Sequence, residues 1–98
     1  NFCLRESSGL QLAATVEAPR SGRIMELHTN QPGLQFYSGN YLDGSVTGKD
    51  GRLHHQFDAL CLEPQNWPDA PNRPDFPSAR LDPGTTYRNH TLYRFLIA

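Results

Sequence analysis

Hydrophobic and polar positions alternate with a period of two through much of the chain, and turn residues interrupt the alternation every few to twelve positions. Residues 1–6 alternate weakly, with Phe2 and Leu4 on one face and Cys3 on the other. Leu10, Leu12, Ala14 and Val16 then keep one period. The Ser7-Ser8-Gly9 link between the two runs predicts a hairpin. Residues 23–29 put Ile24, Glu26 and His28 on one face and Met25, Leu27 and Thr29 on the other. Further strands are expected at residues 34–37, 59–63 and 78–81. The longest is expected over 85–97, where Tyr87, Thr91, Tyr93 and Phe95 share a parity and Tyr, Phe and Thr favour extended backbone. Residues 52–58 fit either a brief edge strand or an irregular return. Pro19 to Gly22, Asn30 to Gly33 and Asp82-Pro83-Gly84 read as turns, with Pro32-Gly33 suited to type II geometry. No stretch has the period of a useful amphipathic helix. The rhythm predicts an all-β protein, a sandwich or a barrel.

One segment departs from that rhythm. Residues 60–76 read LCLEPQNWPDAPNRPDF. A short apolar strand ends in a lone carboxylate, Glu63, and a loop with Pro64, Pro68, Pro71 and Pro74 follows. Each proline fixes its own φ and removes a backbone donor, so the strand is expected to stop near Glu63. The loop carries Gln65, Asn66, Trp67 and Asp69. A carboxylate at a strand end, beside a stiff loop bearing amides and an aromatic, suits a polar-ligand site. The same pattern also fits a solvated strand end sealed by prolines.

Composition narrows the function classes. The chain has 98 residues, enough for one domain with a marginal core. Nine basic and ten acidic residues leave a net charge of -1, which gives no steering towards nucleic acid or an anionic membrane. No apolar run reaches membrane-spanning length, and no signal-peptide pattern opens the sequence. Cys3 and Cys61 sit in apolar contexts and are expected to be buried thiols of a reducing compartment, which points to the cytoplasm. Asn1 leads straight into a strand-like run without an initiator Met, so the sequence reads as cut from a longer chain.

Most chemistries find no support. His54 and His55 are adjacent and point to opposite faces of a strand; Asp58 and His28 do not complete a metal-ligand spacing, so no metal is expected. Ser38 lacks a nucleophile-elbow frame, and Cys61 lacks a cationic neighbour. Gly44, Gly48 and Gly51 do not form a phosphate loop. General acid–base chemistry survives, with Glu63 as the base. Gln35, Asn40, Gln65 and Asn66 could read hydroxyls, and Phe36, Tyr37 or Trp67 could stack on the apolar face of a sugar. No spacing points His54, His55 or His90 at Glu63 as an acid.

Four stretches together resemble the C-terminal part of the galactose mutarotase (aldose 1-epimerase) family. They are Asn1-Phe2-Cys3-Leu4; Ser21-Gly22-Arg23; Pro32-Gly33-Leu34-Gln35-Phe36-Tyr37-Ser38-Gly39-Asn40 with Leu42-Asp43-Gly44; and Cys61-Leu62-Glu63 through Gln65-Asn66-Trp67-Pro68-Asp69-Ala70. Pro77, Leu81 and Pro83-Gly84 also fit, so the resemblance runs through the chain in order. It implies that residues 1–98 are the C-terminal portion of a large antiparallel β-sandwich, the mutarotase-like supersandwich, incomplete on its own. It implies interconversion of the α and β anomers of galactose and glucose without a cofactor. By resemblance Glu63 is the general base and Gln35 contacts the sugar. The acid, a His, would come from the remaining N-terminal part of the protein, as would further His and Arg residues. An Asp of an Asp-His-Asn motif would come from there too, and Asn1 is the last residue of that motif. Phe57 and Ala59 stand where relatives often have His and Gly, and Pro64 stands where Thr is usual. Two other readings stay open at this point: a relative that binds a sugar or sugar phosphate without turnover, and a structural β module with no site.

Overall fold

The computed structural model describes all 98 residues. Six strands form two antiparallel sheets of three strands each. One sheet has the order β1-β4-β5, from Phe2–Cys3, Gly33–Tyr37 and Cys61–Gln65. The other has the order β2-β3-β6, from Gln11–Ala18, Arg23–Thr29 and Thr91–Ile97. The all-β sandwich architecture is therefore as the alternation implies.

The faces of β3 follow the sequence pattern. Leu27 is opposite Ala14 on β2 and Tyr93 on β6, and it is wholly buried at 0% exposure. On the other face Glu26 lies opposite Arg94, whose guanidinium is 3.6 Å from the carboxylate, and His28 sits 3.4 Å from the same oxygen. A bulge at Ala13 shifts the β2 register between Leu12 and Ala14.

Local pattern fails where long-range contacts decide. The expected hairpin of residues 1–6 with residues 10–16 does not form. β1 pairs with β4 through Phe2↔Leu34 and Cys3↔Gly33, and residues 4–10 carry the chain to the other sheet. Gly33 is not the φ-positive residue of a type II turn; it opens β4. β5 starts at Cys61 and runs through Pro64 to Gln65. Its position at a sheet edge explains this, since an edge strand has one side with no ladder donor to lose. Residues 78–81 form no strand, and residues 85–90 precede β6 without joining it. Residues 52–58 are an irregular return, with Leu53 in a single isolated bridge to Thr47. Cys3 and Cys61 are exposed rather than buried, because both side chains project from the polar face of their sheet.

The two central strands, β3 and β4, are joined by residues 30–32, and this corner collects bonds from three other segments. The Pro32 carbonyl accepts from the Leu4 amide at 2.9 Å and from the Trp67 indole at 2.7 Å. Buried Gln31 donates to the Arg88 carbonyl at 3.3 Å and accepts from the Tyr87 hydroxyl at 2.6 Å. Asn30 donates to the same carbonyl at 3.1 Å and accepts from the His90 amide at 2.9 Å. These bonds hold residues 85–90 out of the sheet despite their β-favouring composition.

The sheets do not close on each other. Only Leu27, Leu34 and Ala70 are buried apolar residues. The accessible surface is 7697 Å², against about 5,600 Å² for a folded monomer of this mass. The radius of gyration is 16.6 Å, against about 13 Å for a compact chain of this length. An open apolar cleft of about 750 Å³ lies between β2 and the Leu34, Phe36 and Leu62 face of the other sheet. On β6, Phe95 and Ile97 remain 74% and 84% exposed. No helix is long and apolar enough to cross a membrane.

The corner gives a testable consequence. Gln31→Ala leaves the Tyr87 hydroxyl and the Arg88 carbonyl without this partner, at a cost of about 1–3 kcal/mol. Urea unfolding of the intact protein should show a lower midpoint with an unchanged slope. An unchanged midpoint would contradict the role given to Gln31.

Candidate functional site

The β4–β5 ladder pairs Gln35 directly with Glu63. Directly opposed residues of an antiparallel pair project from the same face, with Cβ atoms about 4.5–5.5 Å apart. An amide and a carboxylate therefore stand side by side. Alternation extends this face to Tyr37 and Cys61 on one side and to Gly33 and Gln65 on the other. Leu34, Phe36 and Leu62 project from the opposite face, towards the cleft between the sheets, and Pro64 shares their parity. One strand pair thus separates a polar surface from an apolar one.

Glu63 is exposed and takes part in none of the ion pairs. Gln35 beside it is half-buried. An open carboxylate with a neutral amide donor alongside can accept a proton from a hydroxyl that the amide orients. The half-turn of chain around this pair is also fixed. Gly39, at φ 73°, ends β4 against the Ala59 carbonyl, and a side chain there would collide with it. Phe57 also lies in the left-handed region, at φ 68°, a strained position for an aromatic residue. Its amide donates to the Gly39 carbonyl at 3.1 Å.

The Pro-rich loop closes one end of the polar face. Trp67 lies against Gly33, its Cδ1 2.9 Å from where a Cβ would stand, so glycine is required there for the ring to seat. The Trp67 ring meets Phe76 edge-on, with centroids 5.0 Å apart and planes at 81°. The Arg73 guanidinium sits 4.5 Å over the Phe76 ring and grips Asp75 through two bonds of 3.1 and 3.0 Å. That bidentate pair holds the Asp75 carboxyl below its ordinary value of 3.8. A single chain of contacts thus runs from Asp75 through Arg73, Phe76 and Trp67 to the Pro32 carbonyl.

Of the residues considered from sequence, Gln35, Tyr37, Glu63, Gln65 and Trp67 gather at this face. Phe36 does not, because its parity sends it to the apolar side. Asn66 lines a separate cleft with residues 78–82 and 85–87. Asn40 lies in the turn after β4, and its carbonyl accepts from Gln56 at 3.1 Å. Three imidazoles are engaged elsewhere: His54 against Gly48, His55 against Gly44, and His28 with Glu26. His90 is tied to Asn30 through its backbone amide. No three His, Cys, Asp or Glu side chains converge as metal ligands. Sequence reasoning did not identify Asn1 as part of the face. Its parity with Cys3 carries that signal, once Cys3 is known to pair with Gly33.

Known proteins bear on this arrangement. A family profile described as "Aldose 1-epimerase" matches residues 1–94. The chain is 50% identical to galactose mutarotase of Mus musculus over 98 residues, which is 100% of this chain and 29% of that protein. It is 47% identical to galactose mutarotase of Homo sapiens over the same span, again 29% of that protein. It is 33% identical to aldose 1-epimerase of Escherichia coli (strain K12) over 93 residues, 93% of this chain and 27% of that protein. The chain therefore spans less than a third of the curated relatives it matches.

The loop clamp has a pH signature. A depressed folded-state pKa stabilises the fold above the unfolded value and loses that contribution as pH falls through the folded one. The Arg73–Asp75 grip should therefore persist through the ordinary aspartate range and release only below 3.8. Titration of the Asp75 carboxyl carbon by NMR should show this low midpoint, and Arg73→Ala should raise it towards the ordinary value. A midpoint unmoved by Arg73→Ala would remove the guanidinium as its cause.

Proposed function

The chain belongs to the aldose 1-epimerase family, and from that premise we propose that Glu63 is the general base of an enzyme interconverting the α and β anomers of galactose and glucose. One observation carries the reading: the exposed Glu63 carboxylate stands directly opposite the Gln35 amide in the β4–β5 ladder. In this mechanism Glu63 takes the proton of the anomeric hydroxyl while an acid protonates the ring oxygen. The C1–O5 bond breaks and an aldehyde forms. Rotation about C1–C2 presents the other carbonyl face, and the ring closes with the proton roles reversed. Gln35 orients the sugar through its hydroxyls. The chemistry asks only for proton transfer and orientation, so the reading includes no cofactor.

Residues 1–98 supply, in this proposal, the C-terminal portion of one larger β-sandwich catalytic domain. The open cleft and the exposed Phe95 and Ile97 support it, since strands from the remaining part of the same protein would cover them. The acid would come from that part as well, in keeping with the engagement of the His28, His54 and His55 imidazoles elsewhere. Its partners are then a monosaccharide and the rest of its own chain, and its compartment the cytoplasm.

Glu63→Gln keeps the shape and removes the base. In the intact protein it should lower the mutarotation rate of freshly dissolved α-D-galactose about 10²–10⁴-fold, followed by polarimetry. An undiminished rate would remove Glu63 from the mechanism. The isolated 98 residues should lack a cooperative unfolding transition, and a sharp one would overturn the proposal that missing strands complete the sandwich.

A further inference from the structure

The polar face carries a second pair of amides, and we propose that Asn1 and Gln65 form a hydroxyl-binding subsite for the end of the sugar farthest from its anomeric carbon. The proposal rests on the reading of Glu63 as the base at that carbon.

Asn1 is seated above Gly33. Its side-chain oxygen and nitrogen lie 2.9 and 3.1 Å from where a Cβ would stand. The missing side chain of the central strand lets β1 and β5 reach each other across it: Gln65 Nε2 donates to Asn1 Oδ1 at 3.1 Å. Each side-chain amide has two N–H donors and one carbonyl. The bond occupies one N–H of Gln65 and one lone pair of Asn1. It leaves the Gln65 carbonyl as an acceptor and the Asn1 NH₂ as a donor in one place. A sugar hydroxyl both donates and accepts, so this pair can satisfy it completely. The mutual bond also fixes both side chains before the sugar arrives, which lowers the entropy lost on binding.

The other end of the face does not offer this. There the Tyr37 hydroxyl already accepts from the Tyr41 amide at 3.0 Å, and its cross-strand neighbour is the Cys61 thiol, a weak hydrogen-bonding group. Within this chain, a sugar with its anomeric carbon at Glu63 therefore finds its best hydroxyl partners by extending towards Gln65. Two residues along a strand cover about 7 Å, comparable with the separation of the C1 and C4 hydroxyls across a pyranose ring. Trp67, packed against Gly33 at the same end, supplies an apolar surface for the ring C–H groups. Configuration at C4 is what separates galactose from glucose, so Asn1 and Gln65 are specificity-determining residues.

The test uses the intact protein, with galactose and 4-deoxygalactose as substrates. Gln65→Ala should raise KM for galactose about 2–10-fold, the weight of one neutral hydrogen bond, with a smaller change in kcat. The preference for galactose over its 4-deoxy analogue should shrink by the same factor. Gly33→Ala, whose Cβ displaces Asn1 and Trp67 together, should shrink it too. A preference that survives both substitutions, or an equal loss on both sugars, would overturn the subsite. If the wild-type protein does not turn over galactose, the proposed function falls separately, and calorimetric titration with the two sugars decides the subsite. Gln65→Ala weakening galactose binding more than 4-deoxygalactose binding would support it. Equal effects, or no binding of either sugar to the wild type, would overturn it.

Discussion

The corner at Asn30, Gln31 and Pro32 is the constraint on which the rest depends. It joins the central strands of both sheets and satisfies its own buried polar groups with bonds from distant segments. A buried amide such as Gln31 is costly unless every partner is present. Gln31 finds its distant partners in the segment before β6, and the Pro32 carbonyl finds its own in the first residues of the chain and the Pro-rich loop. The polar requirement of one short link thus fixes where three remote pieces lie. With so small a buried apolar core, these bonds carry an unusual share of the organisation.

The candidate site follows from that arrangement. The corner orients β4, and β4 sets the register of β1 and β5 on its two sides. That register turns sequence-distant Gln35 and Glu63 into neighbours and brings Asn1 to Gln65 over Gly33. Because β5 is an edge strand, it tolerates Pro64 in its midst and leaves Glu63 open at the surface. The loop after it is tied down by Trp67, Phe76, Arg73 and Asp75. A carboxylate on a strand and an aromatic wall on a clamped loop give a rigid polar surface.

Much of this is legible in the sequence, and the failures have physical causes. β3 reads correctly because seven residues of clean alternation fix both faces. The two-residue strand β1 is too short for a period, and its partner is chosen by a non-local ladder, so the local Ser7-Ser8-Gly9 signal misleads. The Pro32-Gly33 pair looks like turn chemistry, whereas glycine is needed because Asn1 and Trp67 occupy the space of its side chain. The thiols of Cys3 and Cys61 read as buried from apolar neighbours, but alternation sends those neighbours to the other face. The same alternation removes Phe36 from the face of Glu63, and the end of β5 at Gln65 lets Asn66 turn to a separate cleft. Motif resemblance names Gln35 and Glu63; only the register brings them together, and register depends on pairing that no single strand encodes.

The account turns on one face of one strand pair receiving a sugar. The most direct measurement is a crystal structure of the intact protein with galactose bound. The account expects the anomeric hydroxyl within hydrogen-bonding reach of the Glu63 carboxylate, with Gln35 on a neighbouring hydroxyl. A sugar bound away from the β4–β5 polar face, with Glu63 free in solvent, would contradict it.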